Sequence, residues 1–581
     1  MVKRILAALL LTALIVYASP SFAQKANSSD ARIRVLNIMK AELNRSKNEL
    51  KLEDYEQPYF IAYQIKHLRS YDITSEGGAI HNSDKSDRAK IYLELRVGDY
   101  EFDNTATMSG GGFSFDFGGF FGASSAPIEE NEVALRQALW LLTDDAYKKA
   151  LSTFHKKKGQ KVYETDDDKP PSFTKEKAQK FVGGKEKFEF DKTYYEEVAR
   201  ELSALFNEYD EIIEANVRIG ADHETRYFVN TEGSEIITEQ TLYGIIVSAK
   251  TRAEDGMLLT NDRSYYGRKP SQIPPLDELK KDIKLLIDEL LALRKAEVLD
   301  PYTGPAILMP EAAGVLFHEA VGHRLEGERQ NDDREGRTFK DQLGKKVLPE
   351  FIDLVDDPSL AFWEETPLNG YYLFDEEGVR GEKTLLIEKG ILKNYLLSRT
   401  PVKGFKRSNG HGRASEANKP TGRMATTIVT SHKRVAFEKL KEKLIEEIKK
   451  QKKPYGLIFK DIVGGSTNTS SFGYQAFKGV PRRVYKIFPD GREELVRGVE
   501  MVGTPLSSIN KIIVTSDKSK VFNGFCGAES GFIPVSAIAP AVLLKEIELQ
   551  RSPKEAEKPP ILPKPGSNAE KEGKKKEVKA K

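Results

Sequence analysis

The stretch MPEAAGVLFHEAVGH, residues 309–323, sets two histidines and a glutamate, His318, Glu319 and His323, in an apolar run. Zinc takes neutral imidazole ligands at about 2.0–2.1 Å, and a neighbouring carboxylate can accept the proton of an activated water. The spacing is H-E-x-x-x-H. Five residues of regular helix turn about 500°, which leaves the two imidazoles about 140° apart. They can share one ion only if the helix bulges or breaks between them, and Gly322, directly before His323, makes that departure cheap. From spacing alone the alternative is a helix with two incidental histidines. Against it, only eight histidines occur in 581 residues. The segment also follows a punctuated entry (Pro301, Gly304, Pro305, Pro310) and is apolar enough to be buried, where imidazole and carboxylate groups need partners or a metal.

Two histidines leave a catalytic metal one protein ligand short. Glu326 and Glu328 are close in sequence, with a charge on a solvated helix end as the plainer reading of Glu326. The distant alternative is Cys526, the one cysteine of the chain, in the Gly-flanked turn Asn523–Gly527 before an apolar strand. A buried small hydrophobe is the commoner fate of such a thiol.

Outward from this motif the chain reads as α+β: an N-terminal mixed α/β region followed by a strand-rich C-terminal domain. Helices are predicted over 31–51, 130–156, 194–209, 276–298 and 437–450 from apolar spacing. Strands are predicted over 60–71, 89–97, 213–219, 225–229, 235–241 and 243–252, with turns at Asp222-His223 and Gly233. In the C-terminal part, 371–374, 384–388 and 392–398 read as a meander. Pro489-Asp490-Gly491 marks a hairpin between 484–488 and 493–496. The Gly/Ser/Phe-rich segment 109–127 reads as a surface loop or a lid.

Lys and Arg number 90 against 88 Asp and Glu, so no global field points to nucleic acid or an anionic membrane. Lys3 and Arg4, the apolar run Ile5–Val16 and Ser21-Phe22-Ala23 resemble a secretory signal peptide cleaved before Gln24, with an uncleaved anchor as the alternative. The expected organisation is a signal peptide over 1–23, an N-terminal α+β domain over 24–299, a catalytic domain over 300–550 and a disordered charged tail over 551–581. The expected location is exported, periplasmic or secreted, with no membrane span in the mature chain. A lone thiol in an oxidising compartment needs burial or ligation.

Residues 309–329 resemble the metal-binding segment of the TldD/PmbA peptidases. Further segments match in order: 375–378 with 384–395, Ser408–Arg413, Pro420–Met424, Lys460–Gly465, Arg497–Gly503 and Phe525–Val535. The resemblance is close over roughly residues 300–548. It implies His318, His323 and Cys526 as ligands of Zn2+ and Glu319 as general base. It also implies a homodimer, or a heterodimer with a TldE/PmbA-like subunit, that takes an extended peptide substrate as an added strand. His411, Arg413 and Arg423, in Gly-rich loops that can approach a site closely, are candidates to meet the developing oxyanion.

The expected activity is zinc-dependent hydrolysis of unfolded or short peptides by a metal-activated water. A non-catalytic peptide-binding or scaffold subunit with a structural metal is the alternative from a different class. A zinc hydrolase acting on esters or cell-wall amides would share the chemistry.

Overall fold

A computed structural model describes residues 30–105, 121–161, 170–331, 338–469, 477–503, 505–552, 562, 564 and 565. Helices and strands are mixed, and the strands fall into two main sheets. The first is antiparallel apart from one parallel edge. Its centre is a hairpin of strands β1 (Pro58–Glu76) and β2 (Ala79–Val97), paired in register from Pro58↔Val97 to Glu76↔Ala79. Gly77 and Gly78 form its tip with φ of 57° and 87°, the left-handed pair that a two-residue hairpin loop demands. Strand β3 (Phe121–Ala126) adds outside β2, and β4 (Lys180–Val182) runs along the far edge. On the other side of β1 come β5 (Ile212–Asn230), β6 (Glu235–Arg252) and β7 (Leu258–Gly267).

Four helices cover this sheet. Asp30 caps α1 (Ala31–Glu49) by accepting the backbone N–H of Arg32 at 3.0 Å. With α2 (Glu132–Lys161), α1 packs Leu36, Met39, Leu43, Leu139 and Leu151 onto the inner residues of β1 and β2. Helices α3 (Lys192–Ala204) and α4 (Leu276–Lys295) place Val198, Leu202, Ile283 and Leu290 against Val217, Ile219, Ile245 and Val247.

The second sheet is built on one long C-terminal hairpin, Ile512–Ala528 and Gly531–Arg551. The 21-residue strand of that hairpin also pairs with Tyr302–Leu308, Thr426–Ser431 and Val499–Gly503. Helix α5 (Pro310–Ala320) lies on this surface. It buries Ala312, Ala313, Leu316, Phe317 and Ala320 in the largest core.

Several sequence expectations are corrected. Asp222-His223 is no turn: β5 runs through it for 19 residues, because His223 is fully buried and its Nδ1 meets the Thr241 hydroxyl at 2.8 Å across the sheet. β6 is likewise one strand, not two. The hairpin strand at 79–88 was invisible to apolar alternation because this polar stretch lies toward solvent at the hairpin end. Residues 371–374 form no strand, and of 392–398 only Leu392 belongs to one, Ile391–Leu392. Within the Gly/Phe-rich segment, 121–126 is an edge strand. Residues 109–120, the signal-like 1–23 and nearly all of the tail lie outside the described residues.

Candidate metal centre

Helix α5 starts with Pro at its first turn and ends at Ala320, two residues after His318. Val321 leaves the helical region with φ −120° and ψ −50°, and Gly322–Leu325 continue as a tight 3₁₀ turn. This is the break that the five-residue spacing requires. It brings the rings of His318 and His323 to 5.0 Å between centroids at an angle of 87°. The role of Gly322 differs from the one expected. A Cβ there would come within 2.0 Å of the Met424 sulfur, so the glycine admits Met424 rather than an unusual φ.

Cys526 is not in a turn. It lies within the strand Ile512–Ala528, facing Ile533 across the hairpin, and the chain reverses only after Ala528. Period-two alternation turns Cys526 inward, 5% exposed, and Phe525 outward, 49% exposed. The Cys526 sulfur lies 3.2 Å from His318 Nε2 and 3.4 Å from His323 Nε2. One ligand atom from each of the three residues falls within 4.8 Å of the others. Two imidazole nitrogens and a thiolate suit a borderline-soft divalent ion such as zinc, which in catalytic sites takes three protein ligands and keeps one position open.

The surrounding charges favour that state of the sulfur. Burial opposes the thiolate, but the charge of His318 and hydrogen bonds from both histidines outweigh it and draw the Cys526 pKa down to about 4. Burial works against a charge on His323, but the Glu326 carboxylate overcomes it and raises the pKa to about 10, a proton that a metal would displace on binding. Glu326 is not placed as a ligand. Its Oε1 lies 2.9 Å from His323 Nδ1, the ring nitrogen that does not meet the sulfur, and its Oε2 accepts from Arg329 Nε at 2.5 Å. A carboxylate behind a histidine fixes which ring nitrogen faces the metal.

Glu319 borders the same cavity, of about 1370 Å³. Its carboxylate has no hydrogen-bond donor among the described residues. Burial raises its pKa, and the Cys526 and Glu326 charges add to the rise while the two histidines oppose it. Gly465, in the strand Ile462–Thr467, backs this side chain: a Cβ there would stand 2.5 Å from Glu319 Cγ. The paired glycines inside a strand pattern at 464–465 were a legible signal of such a close approach. The N-terminal part also contributes to the wall, through Asp262–Tyr266 of β7. No motif marked these residues.

The three oxyanion candidates separate. Arg423 is fully buried against the centre. Its Nη2 donates to the Cys526 sulfur at 3.1 Å and to the Cys526 carbonyl at 2.9 Å, and Nη1 donates to the Ser530 hydroxyl at 2.8 Å. Its Nε stands 3.3 Å from Glu326. Arg423 therefore frames the thiolate and does not line the cavity. His411 is corrected: it is buried between Asn409 and Asp356, with Nε2 3.3 Å from Asp356 Oδ1. Arg413 is corrected too. It donates to the Met424 carbonyl at 2.6 Å, stacks over Tyr372 and opens into a different cavity. The glycines of this loop serve packing, since a Cβ on Gly412 would meet Glu377 Oε2 at 2.2 Å.

Residues 301–551 match the family model described as the PmbA/TldA metallopeptidase C-terminal domain. A metalloprotease of Methanocaldococcus jannaschii is 34% identical over 319 residues, 53% of this chain and 64% of its own length. The chain thus spans slightly less than two thirds of that relative. A metalloprotease of Archaeoglobus fulgidus is 32% identical over 54% of this chain and 68% of its own length. A zinc metalloprotease TldD homolog of Saccharolobus solfataricus is 26% identical over 45% of this chain and 57% of its own length. Among solved structures, TldE of Thermococcus kodakarensis superposes with a TM-score of 0.57 at 13% identity, covering 90% of this chain and all of its own, a likeness of fold.

These relatives correct one expectation. They are archaeal metalloproteases, and nothing in the comparison points to a signal peptide or a periplasm. Both labels rested on the basic, apolar and small-residue pattern of residues 3–23, and they are withdrawn. No helix among the described residues is long and apolar enough to cross a membrane.

Proposed function

Because the chain belongs to the TldD/PmbA family of metallopeptidases, we propose that it is a zinc-dependent peptidase that cleaves unfolded or short peptides, with His318, His323 and Cys526 as ligands and Glu319 as general base. The observation that carries this reading is the convergence of the three donor atoms in one open cavity, beside a carboxylate with no hydrogen-bond donor among the described residues. Zinc, when bound, supplies a Lewis acid that polarises the scissile carbonyl and acidifies a water.

The chain's own residues supply the rest. Glu319 takes a proton from the attacking water and returns one to the leaving amine, work suited to a carboxyl whose pKa burial raises. Glu326, Arg423 and Arg329 hold the ligands in place from behind. Gly465 removes the bulk that would push Glu319 aside. Residues 521–527 line the cavity, and their outer backbone edge has no strand partner among the described residues. An extended peptide can add there through main-chain hydrogen bonds, which bind strongly and select weakly by sequence. A dimer with a second copy or with a TldE-like subunit would close the cavity and admit only flexible chains.

Glu319→Gln tests the base. The variant should keep its zinc by elemental analysis, while turnover of an unstructured peptide falls about 10²- to 10⁴-fold. Turnover equal to that of the unsubstituted protein would remove Glu319 from the mechanism.

A further inference from the structure

The cavity that holds Arg413 lies between the first sheet and the tip of the C-terminal hairpin, and measures about 570 Å³. Phe525 and Phe532 line both it and the metal cavity. Six Lys and Arg side chains line it against four carboxylates. Lys66 is bound to Glu376 at 3.1 Å and to the Ala414 carbonyl at 2.9 Å, Arg226 stands 3.7 Å from Glu376, and Arg88 pairs with Glu416 at 3.2 Å.

Arg268 and Arg413 differ. Neither makes an ion pair among the described residues. Arg268 gives Nη2 to the carbonyls of Leu368, Asn369 and Tyr371 at 2.9, 3.4 and 3.2 Å and stacks over Tyr371. The carboxylate that acts on it, Glu186, is taken by the Thr241 hydroxyl at 2.9 Å. Arg413 gives only Nη1, to the Met424 carbonyl. The two guanidinium charges are close enough to repel. Glu186 acts on Arg268 and Glu376 on Arg413, but among the described residues no carboxylate is hydrogen-bonded to either guanidinium, and an anion between them would supply the charge-assisted bonds they lack. A second observation points the same way. Arg226 Nε, Arg268 Nε and Asn369 Nδ2 are buried without a hydrogen-bond partner among the described residues, all on residues of this lining, and all three are donors. Orphaned buried donors of one kind call for an acceptor.

We infer that this second cavity binds the C-terminal carboxylate of a peptide between Arg268 and Arg413, with Asn369 beside it and the terminal side chain against Leu242, Phe525, Phe532 and Ile533. The anionic group follows from the donors alone. Its assignment to a peptide rests on the peptidase reading and on the apolar wall, which a free inorganic anion would not use.

The test is calorimetric titration of the full chain carrying Glu319→Gln with a hexapeptide ending in leucine, as free acid and as amide, and with acetate. The acid should bind about tenfold or more tighter than the amide, the value of a charge-assisted hydrogen bond. Arg268→Gln and Arg413→Gln should each erase that difference and leave amide binding unchanged. Arg413→Lys, which keeps the charge and loses the fork, should restore part of it.

Equal binding of acid and amide overturns the inference on unsubstituted arginines, even if the arginine variants fail to fold. A full acid preference in a folded Arg268→Gln/Arg413→Gln protein overturns it as well. Acetate binding as tightly as the peptide overturns the peptide as source. Failure of the peptidase reading is read separately, as absent hydrolysis by the unsubstituted zinc protein, and would not touch the acid–amide difference.

Discussion

In the metal cavity, Glu319 is buried with no donor to its carboxylate among the described residues. At the junction of the two sheets, the run Asp375-Glu376-Glu377, with Asp375 buried and the two glutamates half-buried, is pinned from several sides. Asp375 accepts the backbone N–H groups of Glu377, Val379 and Gly412 at 3.0, 2.8 and 3.0 Å, and Glu377 accepts that of Arg399 at 2.6 Å. Glu376 meets Lys66 of β1, while Arg226 of β5 donates to the Phe374 and Asp375 carbonyls at 2.7 and 2.8 Å. Both regions bury charge, and they use it oppositely. Backbone N–H groups hold Asp375 and Glu377 and so shape this segment, while Glu376 and two carbonyls of the segment fasten it to the first sheet through Lys66 and Arg226. The carboxylate left without a donor is available to a substrate, and the ligands around it are held from behind rather than from the cavity.

The strongest way to break this contrast is at the ligands. Cys526→Ala should lower turnover at least about a thousandfold and leave the protein without stoichiometric zinc. The junction, which shares no residue with the centre, should keep the fold by circular dichroism. Turnover and metal content both surviving in that variant would show that the sulfur is a packed core atom.

A smaller effect sharpens the claim about support from behind. Glu326→Gln keeps an acceptor for His323 Nδ1 but removes the charge shared with Arg329 and Arg423. Zinc affinity, measured by competition with a chromogenic chelator, should fall about 10- to 100-fold. An unchanged affinity would reduce Glu326 to a structural acid.

The centre was far more legible in sequence than the junction or the second cavity. His318, Glu319 and His323 lie within six residues, and the angular mismatch of their spacing already demands the break found after Ala320. Cys526 was conspicuous as the lone thiol, though its neighbourhood was misread as a turn. The long strands were cut short because β5 crosses from one core to another, so His223 looked like a loop residue. Arg413 and Arg423 are ten residues apart in similar Gly-rich settings, yet one frames the thiolate and the other faces the second cavity. Local composition cannot separate them, because the difference is made by Cys526 and Ser530, more than a hundred residues further on, which meet Arg423 and not Arg413.

The smallest expected effect concerns the junction alone, and it appears in stability rather than turnover. Burial raises the Asp375 pKa to about 7, with the Glu376 charge adding to the rise and the backbone N–H groups opposing it. Burial raises Glu377 as well, strengthened by Asp375 and Glu94. Both carboxyls therefore bind protons more tightly in the folded chain than in the unfolded one. Their contribution is fully present below the unfolded pKa of about 4 and falls as pH rises, for Asp375 until about pH 7, at up to about 1.4 kcal/mol per group and pH unit. Glu376 has the opposite sign. Burial would raise it, but Lys66, Arg226 and Arg413 outweigh that and lower it, so its contribution is lost as pH falls below about 4.5. The two trends leave a maximum near pH 5. Thermal unfolding should be a few degrees higher at pH 5 than at pH 8, and Asp375→Asn, which cannot ionise, should flatten the slope between them. A Tm that rises steadily from pH 5 to 8 would mean that the junction carboxyls ionise freely in the folded state, and that the backbone donors around Asp375 outweigh its burial.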